Sequence, residues 1–109
     1  MRVMIIGGTG LLGYHATREL LRRGHAVDIL ALPPLPAPGL FPDVVKIQLG
    51  DLNALPDGEL LALLGGHDAV IFAAGVDDRG PSKARACAYL YHYNVHSNQR
   101  LAALRARVV

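Results

Sequence analysis

Seven residues near the start of the chain restrict its possible folds more than any other feature. The run Gly7-Gly8-Thr9-Gly10-Leu11-Leu12-Gly13 follows an apolar stretch, Val3 to Ile6, and leads into a helical pattern that ends near Arg23. A buried strand, a glycine turn and a helix in direct succession bring the helix N-terminus to the edge of a sheet. Unpaired N–H groups and the positive end of the helix dipole meet there, so the segment predicts a phosphate-binding site.

Each glycine in this turn has a separate predicted role. Gly7 lets the chain leave the strand sharply, Gly10 removes a Cβ where the backbone approaches a diphosphate, and Gly13 lets the helix lie close to the strand. Two registers fit the spacing, since either Gly7 or Gly8 can be the first glycine of the pattern. The order of strand, turn and helix favours dinucleotide binding, and a tight turn that holds no ligand is the alternative.

The helix after the turn has one apolar side. Leu12, Ala16 and Leu20 recur near the 3.6-residue period, with Leu11 and Leu21 beside them. This side is therefore the one predicted to pack on the sheet.

The rest of the chain alternates between apolar runs and helical patterns. Residues 33–42 contain five prolines and predict a stiff surface loop rather than a peptide-recognition motif. The alternation predicts a parallel α/β sheet with right-handed crossovers. The expected strands after the first are residues 26–32, 44–49 and 69–74, and the expected helices are residues 57–64 and 82–106, the second interrupted between Tyr93 and Asn94.

Composition excludes several classes of protein. With 109 residues, 51% of them hydrophobic and 18% charged, the chain is long enough for one domain with a single core. Its net charge is +2 with scattered basic residues, so we expect no nucleic-acid partner. A single cysteine, Cys87, excludes an internal disulfide framework, and no apolar stretch has the length of a membrane span. We therefore expect a soluble cytoplasmic protein without a membrane partner.

Four motifs in order resemble a known family. They are the glycine turn, Gly50-Asp51-Leu52, Ala73-Ala74-Gly75 with Phe72 before it, and Asn94-Val95. Together they resemble the amino-terminal part of the short-chain dehydrogenase/reductases, in particular the extended NAD-dependent epimerase/dehydratase branch. The resemblance implies a Rossmann-type, doubly wound parallel sheet in the order 3-2-1-4. About four of its strands would lie in residues 1–109, as the N-terminal portion of a longer fold.

The same resemblance implies that NAD or NADP is the cofactor and indicates where it would bind. In the family the Asp of the second motif meets the adenine ring, and the third motif lies along the ribose and the nicotinamide. The implied cofactor-binding residues are Gly7, Thr9, Gly10, Leu11, Leu12, Gly13, Asp51, Leu52, Ala73, Ala74, Gly75 and Asn94.

The chain departs from the family where NAD is distinguished from NADP. At the end of strand two the family has an acid for the adenosine ribose or an arginine for the extra phosphate, whereas this chain has Ala31 and Leu32. Asp28 precedes Ala31 by three residues, and at about 3.3 Å per residue it lies roughly 10 Å short of that edge. We therefore assign Asp28 to the other end of the sheet and leave the choice between NAD and NADP open.

The second departure concerns catalysis. The family transfers a proton through a Tyr and a Lys four residues later, but Lys46 and Lys83, the only lysines, have no tyrosine at that spacing. We expect no catalytic residue in these 109 residues and a longer chain that completes the site. The implied function is that of an oxidoreductase, epimerase or dehydratase acting on a small polar substrate such as a nucleotide sugar. A non-catalytic redox sensor is the alternative, and the family's fourth helix implies a homodimer.

Other candidate site residues have simpler interpretations. His92 and His96 are spaced for one helix face, but no third ligand is near them in sequence, so we predict no metal site. Cys87 is interpreted as a structural thiol. The tyrosines at 89, 91 and 93 fit either packed aromatics or a substrate pocket, and the segment 77–79 fits either a solvated loop or a substrate contact.

Overall fold

Four parallel strands form one sheet in the computed structural model, which describes residues 1–74 and 91–107. Their order is β3-β2-β1-β4, so the predicted 3-2-1-4 topology is confirmed for the described residues. The central strand pairs Ile6 with Leu30 of β2 on one side and with Phe72 of β4 on the other. The strands are β1 (Arg2–Ile6), β2 (Ala26–Ala31), β3 (Lys46–Leu49) and β4 (Ala69–Phe72).

Helices cover both faces of this sheet. They are α1 (Leu11–Arg22), α2 (Asp57–Leu64) and α3 (Ser97–Ala106), and a π-helical turn (His92–His96) leads directly into α3. Alternate residues of β1 divide between the two faces, because successive side chains of a strand point in opposite directions. Val3 and Ile5 pack with the residues of α1, whereas Met4 and Ile6 pack with leucines of α2 and α3. All four side chains are at most 3% exposed, so β1 forms the centre of both cores.

The predicted apolar side of α1 is confirmed in part, because Ala16, Leu20 and Leu21 pack against the sheet but Leu11 and Leu12 do not. Gly13 and Thr17 are the buried residues of this helix, and Leu11 and Leu12 are 75% and 76% exposed. The close approach of helix and glycine turn explains the difference, because only small residues fit between them. The Thr17 hydroxyl donates a 2.7 Å hydrogen bond to the Gly13 carbonyl, which satisfies it within the core. Ala16, Leu20 and Leu21 pack at the margin of the contact, as predicted.

Three predicted strands are longer than the observed ones. β3 begins at Lys46 and not at residue 44, because Val44 lies in a turn with its side chain 75% exposed. The second strand ends at Ala31, one residue early, and the fourth at Phe72, two residues early. The interruption predicted between residues 93 and 94 falls within the π-helical turn. The predicted helix over residues 82–90 lies outside the described residues.

The proline-rich segment 33–42 is a mostly exposed loop, as its composition predicts. Phe41 is its buried residue, and its ring centroid lies 5.6 Å from that of Tyr14 on α1. Within the described part of the chain, no helix is both long enough and apolar enough to span a membrane.

Asp28, the third residue of β2, pairs with Lys46 at the start of β3 and belongs to the amino-terminal half of the sheet, as the residue count predicts. Its Oδ2 accepts a 2.9 Å hydrogen bond from the Arg2 guanidinium and lies 2.7 Å from His67 Nε2. Burial of the Asp28 carboxyl raises its pKa, but the hydrogen bonds from His67 and Arg2 outweigh this, and the net pKa is below its ordinary value of 3.8. The cluster ties β1, β2 and the segment before β4 together.

Replacing Asp28 by asparagine tests this contribution through its pH dependence. Because the folded-state pKa is below 3.8, ionised Asp28 stabilises the fold above that pH, and the contribution disappears as the pH falls through the lowered pKa. We expect Asp28→Asn to lower the free energy of unfolding at pH 7 by about 1–2 kcal/mol and to have much less effect at about pH 2.5. Urea denaturation at both pH values measures the difference. Asp43→Asn, on an exposed loop, is the matched control and should change neither value.

Candidate functional site

The carboxyl ends of the strands meet at one edge of the sheet. Backbone hydrogen bonds continue the ladder by one residue beyond the strands: the Gly7 amide donates to the Leu30 carbonyl over 2.7 Å, and the Gly50 amide to the Ala31 carbonyl over 2.9 Å. The Ala73 amide likewise donates to the Ile6 carbonyl over 2.8 Å. The segments that follow β1, β3 and β4 therefore start side by side. In open α/β sheets, ligands bind in the crevice outside this edge.

A cleft of about 360 Å³ lies there and joins motifs that are far apart in sequence. It brings together seven of the twelve predicted cofactor-binding residues, namely Gly7, Thr9, Gly10, Asp51, Leu52, Ala73 and Ala74. The glycine turn occupies the middle of the cleft, because β1 is the central strand. The loop after β3 lies on one side of the turn and the segment after β4 on the other. This arrangement suits an elongated ligand that crosses the sheet edge.

Four predicted cofactor-binding residues are described but do not line the cleft. Leu11 and Leu12 lie at the start of α1 with exposed side chains, and Gly13 is buried behind the turn. Asn94 lies in the π-helical turn and is not among the residues that line the cleft. Gly75 lies outside the described residues, as do the candidates Cys87, Tyr89 and residues 77–79.

The glycine turn has tight packing at two positions and open space at a third. Gly7 has a φ of +84°, and an added Cβ would lie 2.8 Å from the Ala74 Cα. A Cβ on Gly13 would lie 2.3 Å from the Gly7 carbonyl oxygen. On Gly10 the nearest atom to an added Cβ is the same oxygen, at an ordinary 3.6 Å. The fold itself thus requires glycine at 7 and 13, whereas Gly10 leaves a notch on the cleft wall.

Gly8 also meets a packing requirement, which accounts for the two possible registers of the glycine pattern. A Cβ on Gly8 would lie 2.7 Å from the Ile29 side chain in β2. Both Gly7 and Gly8 are therefore needed for steric reasons. The structure gives no ground for choosing one of them as the first glycine of the pattern.

The N-terminus of α1 faces this notch without a cap. Gly10 is the N-cap residue with extended backbone, and among the described residues no side chain caps the first amides. The first turn of α1 has no acidic residue that would compete for them. Uncapped amides and the positive end of the helix dipole attract an anion. The notch and these amides together fit one phosphate-bearing group of a dinucleotide, with the backbone as its main contact.

The end of the cleft beside β2 is neutral. Ala31 and Leu32 both line it, and Leu32 is 60% exposed. Of the described residues on the cleft wall, Asp51 alone has a charged side chain. The Asp51 Oδ1 atom accepts a 2.9 Å hydrogen bond from the Asn53 amide, which shapes the loop after β3.

Sequence reasoning missed two polar residues of the cleft, Asn53 and Ser97. The Ser97 hydroxyl is buried and donates a 2.7 Å hydrogen bond to Asn53 Oδ1, which joins α3 to the loop after β3. The Asx turn at Asp51 uses the backbone amide of residue 53 and does not require asparagine there, so it gives no signal for the Asn53 side chain. Ser97 has no local signal either, because only the fold brings it to residue 53.

The two histidines form no metal site within the described residues. The His92 and His96 ring centroids are 6.3 Å apart, and the His96 ring lies edge-on to Tyr91 at 4.6 Å. Among residues 1–74 and 91–107, no group of three His, Cys, Asp or Glu side chains could hold a metal ion. Tyr91 is half exposed and is not part of the cleft wall.

Alanine substitutions at two glycines separate folding from binding. Gly13→Ala forces a Cβ against the Gly7 carbonyl oxygen and should lower the free energy of unfolding by at least ~2 kcal/mol. Gly10→Ala meets no close atom, and its backbone already has an ordinary φ of −74°, so it should cost less than about 1 kcal/mol. Urea denaturation of the two variants measures both values. Equal losses would contradict the distinction between them.

A known protein family and several solved structures match this chain. The family model described as the NAD dependent epimerase/dehydratase family matches residues 3–108. The solved structure of MoeE5 in complex with UDP-glucuronic acid and NAD is 27% identical with a TM-score of 0.78, and the match covers 99% of this chain and 33% of that chain.

Two further structures show the same fold at lower identity. The UDP-glucose-4-epimerase from Stenotrophomonas maltophila, with bound NAD and formylated UDP-arabinopyranose, is 23% identical with a TM-score of 0.77, covering 97% of this chain and 33% of that one. The Thermus thermophilus UDP-glucose 4-epimerase complex with NAD is 21% identical with a TM-score of 0.74, covering 99% and 34%. The chain thus spans about a third of the length of the structures it matches.

Proposed function

This chain belongs to the NAD dependent epimerase/dehydratase family, and we propose that it supplies the NAD-binding part of an enzyme that acts on a nucleotide sugar. The observation that carries the proposal is the notch at Gly10, which faces the uncapped N-terminus of α1. Among the described residues, an added Cβ at residue 10 would meet no atom closer than 3.6 Å. Packing of the described residues therefore does not require glycine at this position, which supports a ligand in the notch.

The residues present fit NAD in a definite orientation. The diphosphate would lie against the amides that follow Gly10, where the backbone can approach it closely. One nucleoside would lie toward Ala31, Leu32 and Asp51, and the other toward Ala73 and Ala74. NAD, when bound, supplies hydride transfer. The residues of this chain bind and orient it, and the groups that move protons are proposed to belong to the rest of the enzyme.

A nucleotide sugar is the proposed substrate because of the structures that the chain resembles. MoeE5, at 27% identity, was solved with UDP-glucuronic acid. Several further neighbours with the same fold are UDP-sugar epimerases. The identity of the sugar, and whether it is epimerised, dehydrated or oxidised, depends on residues beyond those that hold the cofactor.

Two earlier expectations stay predictions. One is a homodimer formed through the last helix, whose exposed residues include Asn98, Gln99, Ala102 and Ala103. The other is a cytoplasmic location.

A side chain that fills the notch should strongly weaken cofactor binding without unfolding the protein. We expect NADH fluorescence to change when the full-length protein is titrated into it, and Gly10→Val to weaken that binding at least ~100-fold, since a branched side chain would fill the space of a phosphate group. Circular dichroism confirms that the variant is folded, and Gly58→Val, at an exposed position in α2 with open space around it, is the matched control. A Gly10→Val variant that binds NADH as tightly as the parent would refute the assignment.

The uncharged Ala31–Leu32 edge of the cleft predicts weak discrimination between NAD and NADP, since the Asp51 carboxylate is expected at the adenine ring and not at the ribose. A carboxylate beside the adenosine ribose would repel a 2′-phosphate, but Ala31 and Leu32 have no charge. We expect NADPH to bind within about tenfold of NADH, a difference of about 1.4 kcal/mol. Competition between the two in the same fluorescence titration gives the ratio. A preference for NADH of a thousandfold would mean that another part of the protein excludes the phosphate.

A further inference from the structure

The guanidinium of Arg100, on α3, lies against the loop that connects β3 to α2. Its Nη1 donates a 2.7 Å hydrogen bond to the Leu52 carbonyl, and its Nη2 donates one of 2.6 Å to the Leu55 carbonyl. The same group forms an ion pair with Asp57 at 2.7 Å. One side chain therefore contacts two points of this loop and the first residue of α2, all more than forty residues away in sequence.

The two carbonyl bonds matter more than the ion pair. The Asp57 side chain is 62% exposed, and ion pairs in water contribute little to stability. The carbonyl bonds are part-buried and involve a charged donor, which makes them stronger than neutral ones. The two carbonyls accept from different nitrogens of the guanidinium, an arrangement that the single nitrogen of a lysine ammonium would reproduce only in part.

The loop that Arg100 holds is also a wall of the cleft. Asp51, Leu52 and Asn53 line the cleft, and Leu52 is the residue whose carbonyl accepts from Arg100. Ser97, one helical turn before Arg100, donates to the Asn53 side chain. The amides of Ala54 and Leu55 donate back to the Asp51 carbonyl at 2.9 and 3.1 Å, so the loop is internally compact but depends on α3 for its position.

The loop lies on the side of the cleft that would receive adenosine. In sheets of this topology the adenosine ribose meets the end of the second strand, which here is Ala31. The Gly50 amide bonds to the Ala31 carbonyl, so the loop begins beside that position. We propose that Arg100 is a positioning residue that holds the loop of residues 50–56 in the shape required by the adenosine half of the cofactor. This inference rests on the proposed function and adds a residue that does not itself contact the cleft.

The test compares two arginines of the same helix in the full-length protein. Arg105 donates to the His67 carbonyl at the opposite edge of the sheet, so Arg105→Ala removes the same charge and a similar bond without touching the loop. Titration calorimetry gives Kd for NAD and for ADP-ribose, at a temperature well below the unfolding transition of each variant. Hydrogen exchange of a peptide covering residues 50–56 reports the loop directly.

We expect Arg100→Ala to weaken the binding of NAD and of ADP-ribose by the same factor, about tenfold, because the ligand must then order the loop itself. Exchange in residues 50–56 should become faster, and NAD should slow it again. Arg100→Lys should have a Kd between those of the parent and the alanine variant. Arg105→Ala should match the parent in Kd and in the exchange rate of the loop.

Three outcomes would overturn the inference. The first is that Arg100→Ala binds both ligands as tightly as the parent. The second is that Arg105→Ala loses as much affinity as Arg100→Ala. The third is that Arg100→Ala loses affinity for NAD but not for ADP-ribose. If the parent protein binds NAD and Arg100→Ala binds it with the same affinity, this inference alone is refuted. A parent that binds no NAD would refute the proposed function and the inference with it.

Discussion

The contact between the first turn of α1 and the glycine turn determines how the rest of the sheet edge is arranged. The Gly13 position lies so close to the Gly7 carbonyl that the helix has to start directly at the end of β1. Because β1 is the central strand, this places the helix N-terminus in the middle of the cleft and not at its border. The position of the uncapped amides is therefore a consequence of packing between small residues.

The two faces of the sheet contribute differently to this edge. On one face α1 supplies the amides, and its contact with β1 and β2 is closed by Thr17, Ala16 and the ring of Tyr14. On the other face α2 and α3 bury leucines against Met4 and Ile6, and α3 extends far enough to reach the loop after β3. The cleft wall thus combines a rigid backbone turn with a loop that is fixed by side chains.

The topology and the glycine turn could be predicted from local signals in the sequence, whereas the cleft residues after β3 and β4 were implied by the resemblance to a family. Alternating apolar runs give the strands, glycines give the turn, and a simple residue count places Asp28 in the amino-terminal half of the sheet. The prediction for α1 was wrong at Leu11 and Leu12, since periodicity identifies an apolar side but not how close a helix lies to its sheet. Ser97 and Arg100 were missed because their roles depend on contacts with residues 52–57, which no local pattern encodes.

The ion cluster of Asp28, Arg2 and His67 lies at one end of the strands, and the cleft lies at the other. Asp28 and the cleft residue Ala31 are three residues apart on β2, about 10 Å, and the cited contacts of the cluster include no residue of the cleft wall, so substitutions at the two places are expected to add nearly independently. Thermal robustness and ligand affinity can therefore change separately in this fold. A lineage that lives at higher temperature could strengthen the one end without disturbing what the other end recognises.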